Sequence, residues 1–481
     1  MTDEPEAARG LDPDDWAAFR ANAHALLDAA LGKMERARDG RVWTPFPDAM
    51  KAAFDQPLPQ DGLGEAALSA QLEALLPYGA GNTHPRFFGW VHGSGTPQNL
   101  LAEITASALN ANAGGRDHGA IYVERQVIRW CRELFGFPET ASGLVVSGTS
   151  MATIIALKVA RDAHLAFASR KAGLGAARLV GYASAEAHAC NARAFDILGL
   201  GADALRRIPV NDRFEMDPAA LRSAIAADIE AGLQPFAIIG TAGTVNTGAT
   251  DPLAEIADIA EAQGLWFHVD GAFGALATLV PELHPRFAAI ARADSLAFDF
   301  HKWMHVNYDA GCVLVRDESL HRRAFSDRPD YLKGEARGLA AGNPWPVEYG
   351  PELSRGFRAL KVWSQIAGFG TRRLGDAIAV NCQQAAYLAA KVDADPRFQR
   401  MAPVPLNICC FRYLTPGLDG PALDALNAEI VIRLQEEGLA APSTTRLRGV
   451  SVIRVNLTNH RTQTADLDQL LKDVAALGSA L

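Results

Sequence analysis

Residues 235–274 read PFAIIGTAGTVNTGATDPLAEIADIAEAQGLWFHVDGAFG, and this stretch decides the fold. Two short apolar runs, FAIIG and LWFHV, flank the segment DPLAEIADIAEAQG, whose apolar residues recur at helical spacing. A strand, a helix and a second strand in this order form a parallel pair, and strands that are apolar throughout are buried on both faces. The stretch therefore predicts one unit of an α/β protein with a mainly parallel central sheet.

The same alternation extends outward over residues 85–347, where further strands are predicted at SGLVVSG, ARLVGYAS, SLAFDFHK and AGCVLVRD. Residues 348–481 mix long helical stretches with short strands and predict a small α+β C-terminal domain. Residues 1–84 carry apolar residues at helical spacing but have little core of their own. They predict an N-terminal helical arm that lies against a partner subunit.

The composition is typical of a soluble globular enzyme, with 481 residues of which 49% are hydrophobic and 21% charged. A net charge of -9 and a pI near 5.8 argue against a nucleic-acid-binding protein. The start, MTDEPEAARG, lacks a signal-peptide pattern, and no run approaches the roughly 18 apolar residues that span a bilayer. The six cysteines contain no C-x-x-C pair, so we expect reduced thiols, no metal site and a cytoplasmic location.

Polar residues follow the predicted strands where ligands bind in open α/β sheets, beyond the carboxyl ends of the strands. These residues are Gly148-Thr149-Ser150, His188, Thr244, Asp270 and His301-Lys302. Taken singly, each has an ordinary explanation, such as a helix cap or a surface charge. Together they offer a phosphate site at a helix start, a flat ring, a carboxylate for a pyridinium nitrogen and an amine for an aldehyde. That set is what pyridoxal 5′-phosphate (PLP) requires.

Two motifs, HVDGAFGA (268–275) and FDFHKWMHVNYDAG (298–311), resemble those of the group II PLP-dependent amino acid decarboxylases, in particular the aromatic-L-amino-acid decarboxylase branch. Further matching segments are HPRFFGWVHGSGTPQNLLAEI (84–104), SGTSMATIIAL (147–157), AEAHACNARAFDILGLG (185–201), GTAGTVNTGATDPLAEIA (240–257) and SRGFRALKVW (354–363). The resemblance implies PLP fold type I, which is aspartate-aminotransferase-like. It also implies a homodimer in which a second subunit completes the cofactor site.

The resemblance assigns four residues to the cofactor ring. Lys302 is implied to be the lysine that forms the Schiff base with the aldehyde, and Asp270 to pair with the pyridine nitrogen. His188 is implied to stack on one ring face and to take part in proton transfer, while Ala272 lies against the other face.

The remaining implied contacts are at the phosphate and on a loop. Thr149, Ser150 and His301 would contact the phosphate, and Thr244 would lie near the ring. The segment SDRPDYLKGEARGLAAGNPWP (326–346) is a lid candidate, and its Tyr331 resembles the tyrosine that supplies a proton once carbon dioxide has left. In the family a tyrosine there accompanies decarboxylation and a phenylalanine accompanies aldehyde formation.

Three features depart from the family pattern. Met151 stands where an acidic residue is usual, and Gly271 and Phe273 surround the Asp-x-Ala core in place of alanine and tyrosine. Asp299-Phe300 replaces the Asn-Pro that is common before His-Lys in the animal enzymes. An aspartate facing a phosphate dianion would repel it, so we expect Asp299 to be turned away or bonded to the backbone.

The expected reaction is decarboxylation of an aromatic L-amino acid (tryptophan, tyrosine, phenylalanine or dihydroxyphenylalanine) to the amine and carbon dioxide. Phe88, Trp90 and His92 resemble the substrate-pocket strand and offer aromatic surface, although they can equally be core residues. Arg355 could bind a carboxylate or the neighbouring subunit, or could be an ordinary surface residue. The alternatives are an aldehyde synthase or oxidative deaminase, a decarboxylase of an acidic or diamino acid, and a cofactor-less scaffold.

Overall fold

The computed structural model describes residues 10–327 and 334–481. Its centre is a seven-stranded sheet with the strand order β1-β7-β6-β5-β4-β2-β3. The strands are β1 Ser142–Val146, β2 Leu179–Ser184, β3 Leu205–Ile208, β4 Gln234–Thr241, β5 Trp266–Asp270, β6 Ser295–Asp299 and β7 Gly311–Val315. In this order β4, β5 and β6 lie side by side in the middle of the sheet.

The pairing confirms the predicted mainly parallel α/β architecture. Neighbouring strands from β3 through β2, β4 and β5 to β6 pair in parallel, and only β7 runs antiparallel, to both β6 and β1. Every residue of β2, β6 and β7 is buried, as expected for a sheet that helices cover on both faces. The carboxyl ends of β2, β4, β5 and β6 therefore lie along one edge of the sheet.

Helices cover the sheet and bury their apolar side chains against it. The helix between β4 and β5 shows the pattern clearly, because it buries Leu253, Ile256, Ala257, Ile259 and Ala260 at helical spacing. The helices of this large domain are α4 Pro97–Leu109, α5 Gly119–Phe135, α6 Thr149–His164, α7 Ser169–Ala172, α8 Cys190–Ile197, α9 Pro218–Glu230, α10 Leu253–Gln263, α11 His284–Phe287 and α12 Glu318–Phe325.

The C-terminal part has its own sheet and core, which agrees with the predicted small α+β domain. The 37-residue helix α13, Arg358–Ala394, leads into it and is interrupted at Gly370, whose φ is 70°. The four-stranded antiparallel sheet has the order β10-β11-β9-β8. Its elements are β8 Phe398–Arg400, β9 Ile408–Tyr413, α14 Gly420–Glu436, β10 Ser443–Leu447, β11 Val450–Asn456 and α15 Thr464–Ala480.

The N-terminal arm consists of α1 Trp16–Glu35, α2 Asp48–Ala53 and α3 Glu65–Ala74. None of these three helices buries a residue within the chain. Large apolar side chains on the described part of the arm are exposed, namely Leu11, Trp16, Phe19, Leu31, Phe54, Leu58, Leu63, Leu68 and Leu72. These side chains leave the arm with a large apolar surface that the rest of the described chain does not cover.

Across residues 10–327 and 334–481, none of the helices combines the length and the apolar character that crossing a lipid bilayer requires.

Candidate active site

A cavity of about 280 Å³ opens at the carboxyl ends of the central strands. It is lined by Trp90, Val91, His92, His188, Thr241, Gly243, Val245, Asp270, Ala272, Phe273, Lys302 and Tyr308. This set brings together the lysine, the aspartate, the histidine and the alanine that the sequence assigned to a cofactor ring. Its position beyond the strand ends is the usual ligand site of an open α/β sheet.

Asp270 ends strand β5 and is buried at the base of the cavity. Its Oδ2 accepts a hydrogen bond from Nδ2 of Asn191 at 3.0 Å, and its Oδ1 accepts one from the backbone N–H of Ala272 at 3.2 Å. Asn191 was missed by the sequence analysis. It lies on α8, three residues after His188, and its place in the quoted segment 185–201 was the available signal.

Asn191 orients the Asp270 carboxylate, so Asn191→Ala is expected to lower kcat by about tenfold. A hydrogen bond to a charged group contributes roughly 1.5–3 kcal/mol, and the Ala272 N–H still holds the other oxygen. Steady-state decarboxylation kinetics measure the effect. Cys190→Ala is the matched control, because its Sγ lies 4.0 Å from Oδ2 of Asp270 and is a weak donor. Equal losses in the two variants would contradict this role for Asn191.

Lys302 follows β6 and carries its ammonium into the cavity beside a carboxylate. Its Nζ lies 2.9 Å from Oδ2 of Asp299. Burial alone would lower the pKa of Lys302, but the negative charges of Asp299 and, further away, Asp270 raise it above its usual value. The lysine is therefore held as an ammonium by an ion pair rather than by solvent.

The predicted phosphate site lies at the start of α6, after β1. Thr149 is buried, and its hydroxyl has no hydrogen-bond partner within the described residues, while Ser150 is exposed on the first turn. Nδ1 of His301 accepts a hydrogen bond from the backbone N–H of Ala310 at 3.1 Å. Nε2 of His301 is therefore the N–H donor of the neutral ring. These groups are a helix start, a buried hydroxyl and a histidine N–H, all suited to an anion.

Asp299 also lies at this phosphate site. Its Oδ1 accepts a hydrogen bond from the backbone N–H of Thr149 at 2.6 Å. Of the two alternatives expected for Asp299, the structure shows the bond to the backbone, and the carboxylate stays at the phosphate site. The physical reason is that the helix start and Lys302 both attract a negative charge.

His188 and Ala272 both line the cavity, as their assignment to the two ring faces requires. Nδ1 of His188 accepts a hydrogen bond from the backbone N–H of Cys190 at 3.2 Å, which leaves Nε2 as the N–H donor.

The prediction that Thr244 lies near the cofactor ring is corrected by the structure, because Thr244 does not line the cavity. It is fully buried, and its hydroxyl pairs with that of Thr247 at 3.1 Å. Thr241, three residues earlier, lines the cavity instead, and its buried hydroxyl has no partner among the described residues. The backbone on both sides of Thr244 lines the cavity through Gly243 and Val245, but the Thr244 hydroxyl is turned toward Thr247.

The predicted substrate residues divide into two groups. Phe88 is fully buried in the core of the small domain, and its backbone N–H donates to the carbonyl oxygen of Ala441 at 2.9 Å. It is a core residue rather than a pocket residue, because the chain turns between Phe88 and Trp90, whose φ of 49° takes the two side chains to different sides of the backbone. Trp90 and His92 line the cavity, and their ring centroids stack 5.8 Å apart.

Trp90, His92 and Tyr308 together form an aromatic wall of the cavity. Tyr308 was missed by the sequence analysis. Its ring lies edge-on to His92 at a centroid distance of 5.9 Å and packs on His301 at 4.4 Å. Burial, the largest cause, raises the pKa of Tyr308 to about 12, so its phenol is neutral. Its position six residues after Lys302 in the quoted motif was the signal.

The backbone of the aromatic wall is fixed to residues 301–302 and to the small domain. A Cβ on Gly93 would overlap the carbonyl oxygens of His301 and Lys302, so only glycine permits this backbone approach. From β11, Nη1 of Arg454 donates to the carbonyl oxygen of Trp90 at 2.9 Å. The backbone that carries the wall is therefore held from both sides.

Of the two remaining predicted residues, one lies away from the cavity and the other is outside the described residues. Arg355 is buried and makes two hydrogen bonds to the Glu124 carboxylate, at 2.7 and 3.0 Å. It is a structural ion pair inside the large domain and is not available for a substrate carboxylate. Tyr331 lies outside the described residues.

The residues present fit PLP. The unpartnered hydroxyl of Thr149 and the helix start suit the phosphate, the buried Asp270 suits a protonated ring nitrogen, and Lys302 suits the aldehyde. Within the described residues, no group of His, Cys, Asp and Glu side chains could hold a metal ion.

Several known proteins resemble this chain in sequence or in fold. A model of the pyridoxal-dependent decarboxylase conserved domain matches residues 47–414. An aromatic-L-amino-acid decarboxylase of Bacillus atrophaeus is 35% identical over 397 residues, covering 82% of this chain and 81% of that protein. A phenylacetaldehyde synthase of Petunia hybrida is 30% identical, covering 92% of this chain and 90% of that protein. The crystal structure of Oryza sativa TDC with PLP and tryptamine shares the fold, with a TM-score of 0.90 at 24% identity over 98% of this chain and 99% of that chain. The chain therefore belongs to the pyridoxal-dependent decarboxylase family, as a PLP-dependent amino acid decarboxylase.

Proposed function

We propose that the enzyme decarboxylates an aromatic L-amino acid (tryptophan, tyrosine, phenylalanine or dihydroxyphenylalanine) to the corresponding amine and carbon dioxide. The observation that carries the proposal is the wall of Trp90, His92 and Tyr308 in the same cavity as Lys302. Aromatic side chains favour an aromatic ligand. Among the described residues that line the cavity there is no arginine to neutralise an acidic side chain.

The residues of the chain have separable tasks in this reaction. When bound, PLP supplies an aldehyde for the substrate amine and a ring that takes up the electrons released as the carboxylate leaves. Asp270 supplies the buried negative charge that keeps the ring nitrogen protonated. Lys302 would hold the cofactor, and Nε2 of His188 can hold or pass a proton. Tyr331 is our candidate for the proton that replaces the carboxylate, on the basis of the sequence resemblance.

An aldehyde synthase is the second candidate, because a relative with 30% identity is named phenylacetaldehyde synthase. The tyrosine at position 331 favours decarboxylation over this alternative. A decarboxylase of an acidic or diamino acid is less favoured, because Asp270, the carboxylate in the lining, is already committed to the ring, and Arg355 is paired with Glu124.

A panel of amino acids tests the proposal. The PLP-loaded enzyme is incubated with the four aromatic amino acids, glutamate, and 2,4-diaminobutyrate, and amine, aldehyde, carbon dioxide, ammonia and hydrogen peroxide are measured. Amine and carbon dioxide from at least one aromatic amino acid are expected. Aldehyde with hydrogen peroxide would favour the synthase, and turnover of glutamate or diaminobutyrate alone would overturn the aromatic assignment.

The proposed assembly is a homodimer in which the arm of residues 10–84 covers the partner subunit. Its support is the exposed apolar surface of α1 to α3, where Trp16 is 55% and Phe19 41% exposed. Sedimentation should give a dimer, and the double variant Trp16→Glu/Phe19→Glu should weaken it. Ile229→Glu is the matched control, since Ile229 is 52% exposed on α9 and lies away from the arm. A monomer with full activity would contradict the proposal.

We also propose a cytoplasmic location. Its support is that all six cysteines lie in the described residues and none is paired in a disulfide.

A further inference from the structure

The Asp299 carboxylate pairs with groups that PLP would also use, the start of α6 for the phosphate and Lys302 for the aldehyde. Asp299 is the last residue of β6 and lies three residues before Lys302. Its Oδ1 accepts from the backbone N–H of Thr149 at 2.6 Å, and its Oδ2 faces Nζ of Lys302 at 2.9 Å. Nε2 of His301, the donor that remains on that ring, is 3.7 Å from the same Oδ2. One carboxylate thus engages both ends of the cofactor site.

The position is electrostatically favourable for a single anion. Thr149 opens the 16-residue helix α6, whose N-terminus carries partial positive charge, and Lys302 adds a full one. Burial of Asp299 would raise the pKa of its carboxyl, but the ammonium of Lys302 holds that pKa below the usual value. Asp299 is therefore ionised at neutral pH, and a phosphate at the same helix start would meet it as a like charge.

The backbone holds the carboxylate in place. A Cβ on Gly311, the first residue of β7, would come within 2.7 Å of Oδ1 of Asp299 and 2.5 Å of Cα of Gly148. Asp299 is thus packed between β7 and the start of α6, with little room to withdraw. The buried hydroxyl of Thr149 is a second donor beside the carboxylate, and its interaction with Asp299 helps to lower the pKa of that group.

We infer that Asp299 competes with the phosphate of PLP for the donors at the start of α6, and that this competition limits the affinity of the enzyme for its cofactor. The inference concerns cofactor binding and does not depend on which amino acid the enzyme uses. An asparagine of the same shape removes the negative charge and can donate a hydrogen bond to a phosphate oxygen. The resemblance places asparagine at this position in the animal enzymes.

The test compares the wild type with Asp299→Asn for binding of PLP and of pyridoxal, which lacks the phosphate. Dissociation constants are measured by equilibrium dialysis on protein freed of cofactor. Asp299→Asn is expected to bind PLP about tenfold or more tightly, the scale of a like-charge contact removed. The affinity for pyridoxal should rise less, because pyridoxal has no phosphate and is affected by Asp299 only through Lys302.

Two further measurements test whether the Asp299 charge is the cause. Thermal unfolding without cofactor should show Asp299→Asn to be less stable than the wild type, since Lys302 and Thr149 lose their anion. Asp294→Asn removes a carboxylate from the other end of β6, where it accepts from the backbone N–H of Phe267 at 2.8 Å, and should leave PLP affinity unchanged. Asp299→Ser serves as a second variant if Asp299→Asn folds poorly. Weaker or unchanged PLP binding, or an equal gain for pyridoxal, would overturn the inference.

Discussion

Replacing Lys302 by alanine should lower kcat by roughly 10³-fold or more. The variant loses both the amine that reacts with the cofactor aldehyde and a group that can transfer protons. A positioned proton-transfer group alone commonly contributes about 10²–10⁴-fold. The absorbance of the lysine-bound cofactor should disappear in the same variant, and carbon dioxide release measures the loss of turnover.

The control must separate this loss from damage to the fold. Lys158→Met also removes a partly buried lysine, one that pairs with Asp162 at 2.6 Å on α6, away from the cavity. Asp162 keeps Arg161 as a partner at 2.7 Å, so the control should fold and retain activity. A Lys302→Ala enzyme with wild-type turnover would show that Lys302 is not the lysine that holds the cofactor.

Asp270→Asn should lower kcat by about 10²–10³-fold. The substitution keeps the shape of the side chain but removes the charge that holds a proton on the ring nitrogen. Loss of one preorganised electrostatic group in an active site typically costs about 2.7–4 kcal/mol in the transition state. Steady-state kinetics should show the loss in kcat rather than in KM, because the carboxylate acts on the electron flow and not on the amino acid itself.

Asp270→Glu is the matched variant for this second prediction. It restores the charge at a displaced position and should recover part of the activity if charge is what matters. A fall confined to PLP affinity, with normal turnover at saturating PLP, would show that Asp270 anchors the cofactor without activating it.

The fold could largely be predicted from the sequence, because buried parallel strands are apolar throughout and are separated by amphipathic helices. All the strands of the central sheet were predicted except β3, Leu205–Ile208. That strand reads LRRI, and its two arginines mask the apolar pattern at the edge of the sheet. The arm was recognisable as well, since its apolar residues have helical spacing without a core to receive them.

The site was predicted less completely, because side-chain direction depends on contacts between distant segments. The sequence could not tell that Phe88 enters the core while Trp90 faces the cavity, nor that Thr241 rather than Thr244 lines it. Arg355 finds its partner Glu124 at a separation of 231 residues, which no local pattern indicates. Local motifs identified the chemistry, and packing decided which neighbours take part.

The contact between Gly93 and the lysine segment bears on how new specificities could arise in this enzyme. The backbone of the aromatic wall contacts the carbonyl groups of His301 and Lys302, while the rings of Trp90 and His92 line the cavity. Exchanging those rings alters the shape offered to the amino acid and leaves the lysine where it is. A change of specificity can therefore be made in those side chains without moving the backbone that contacts Lys302.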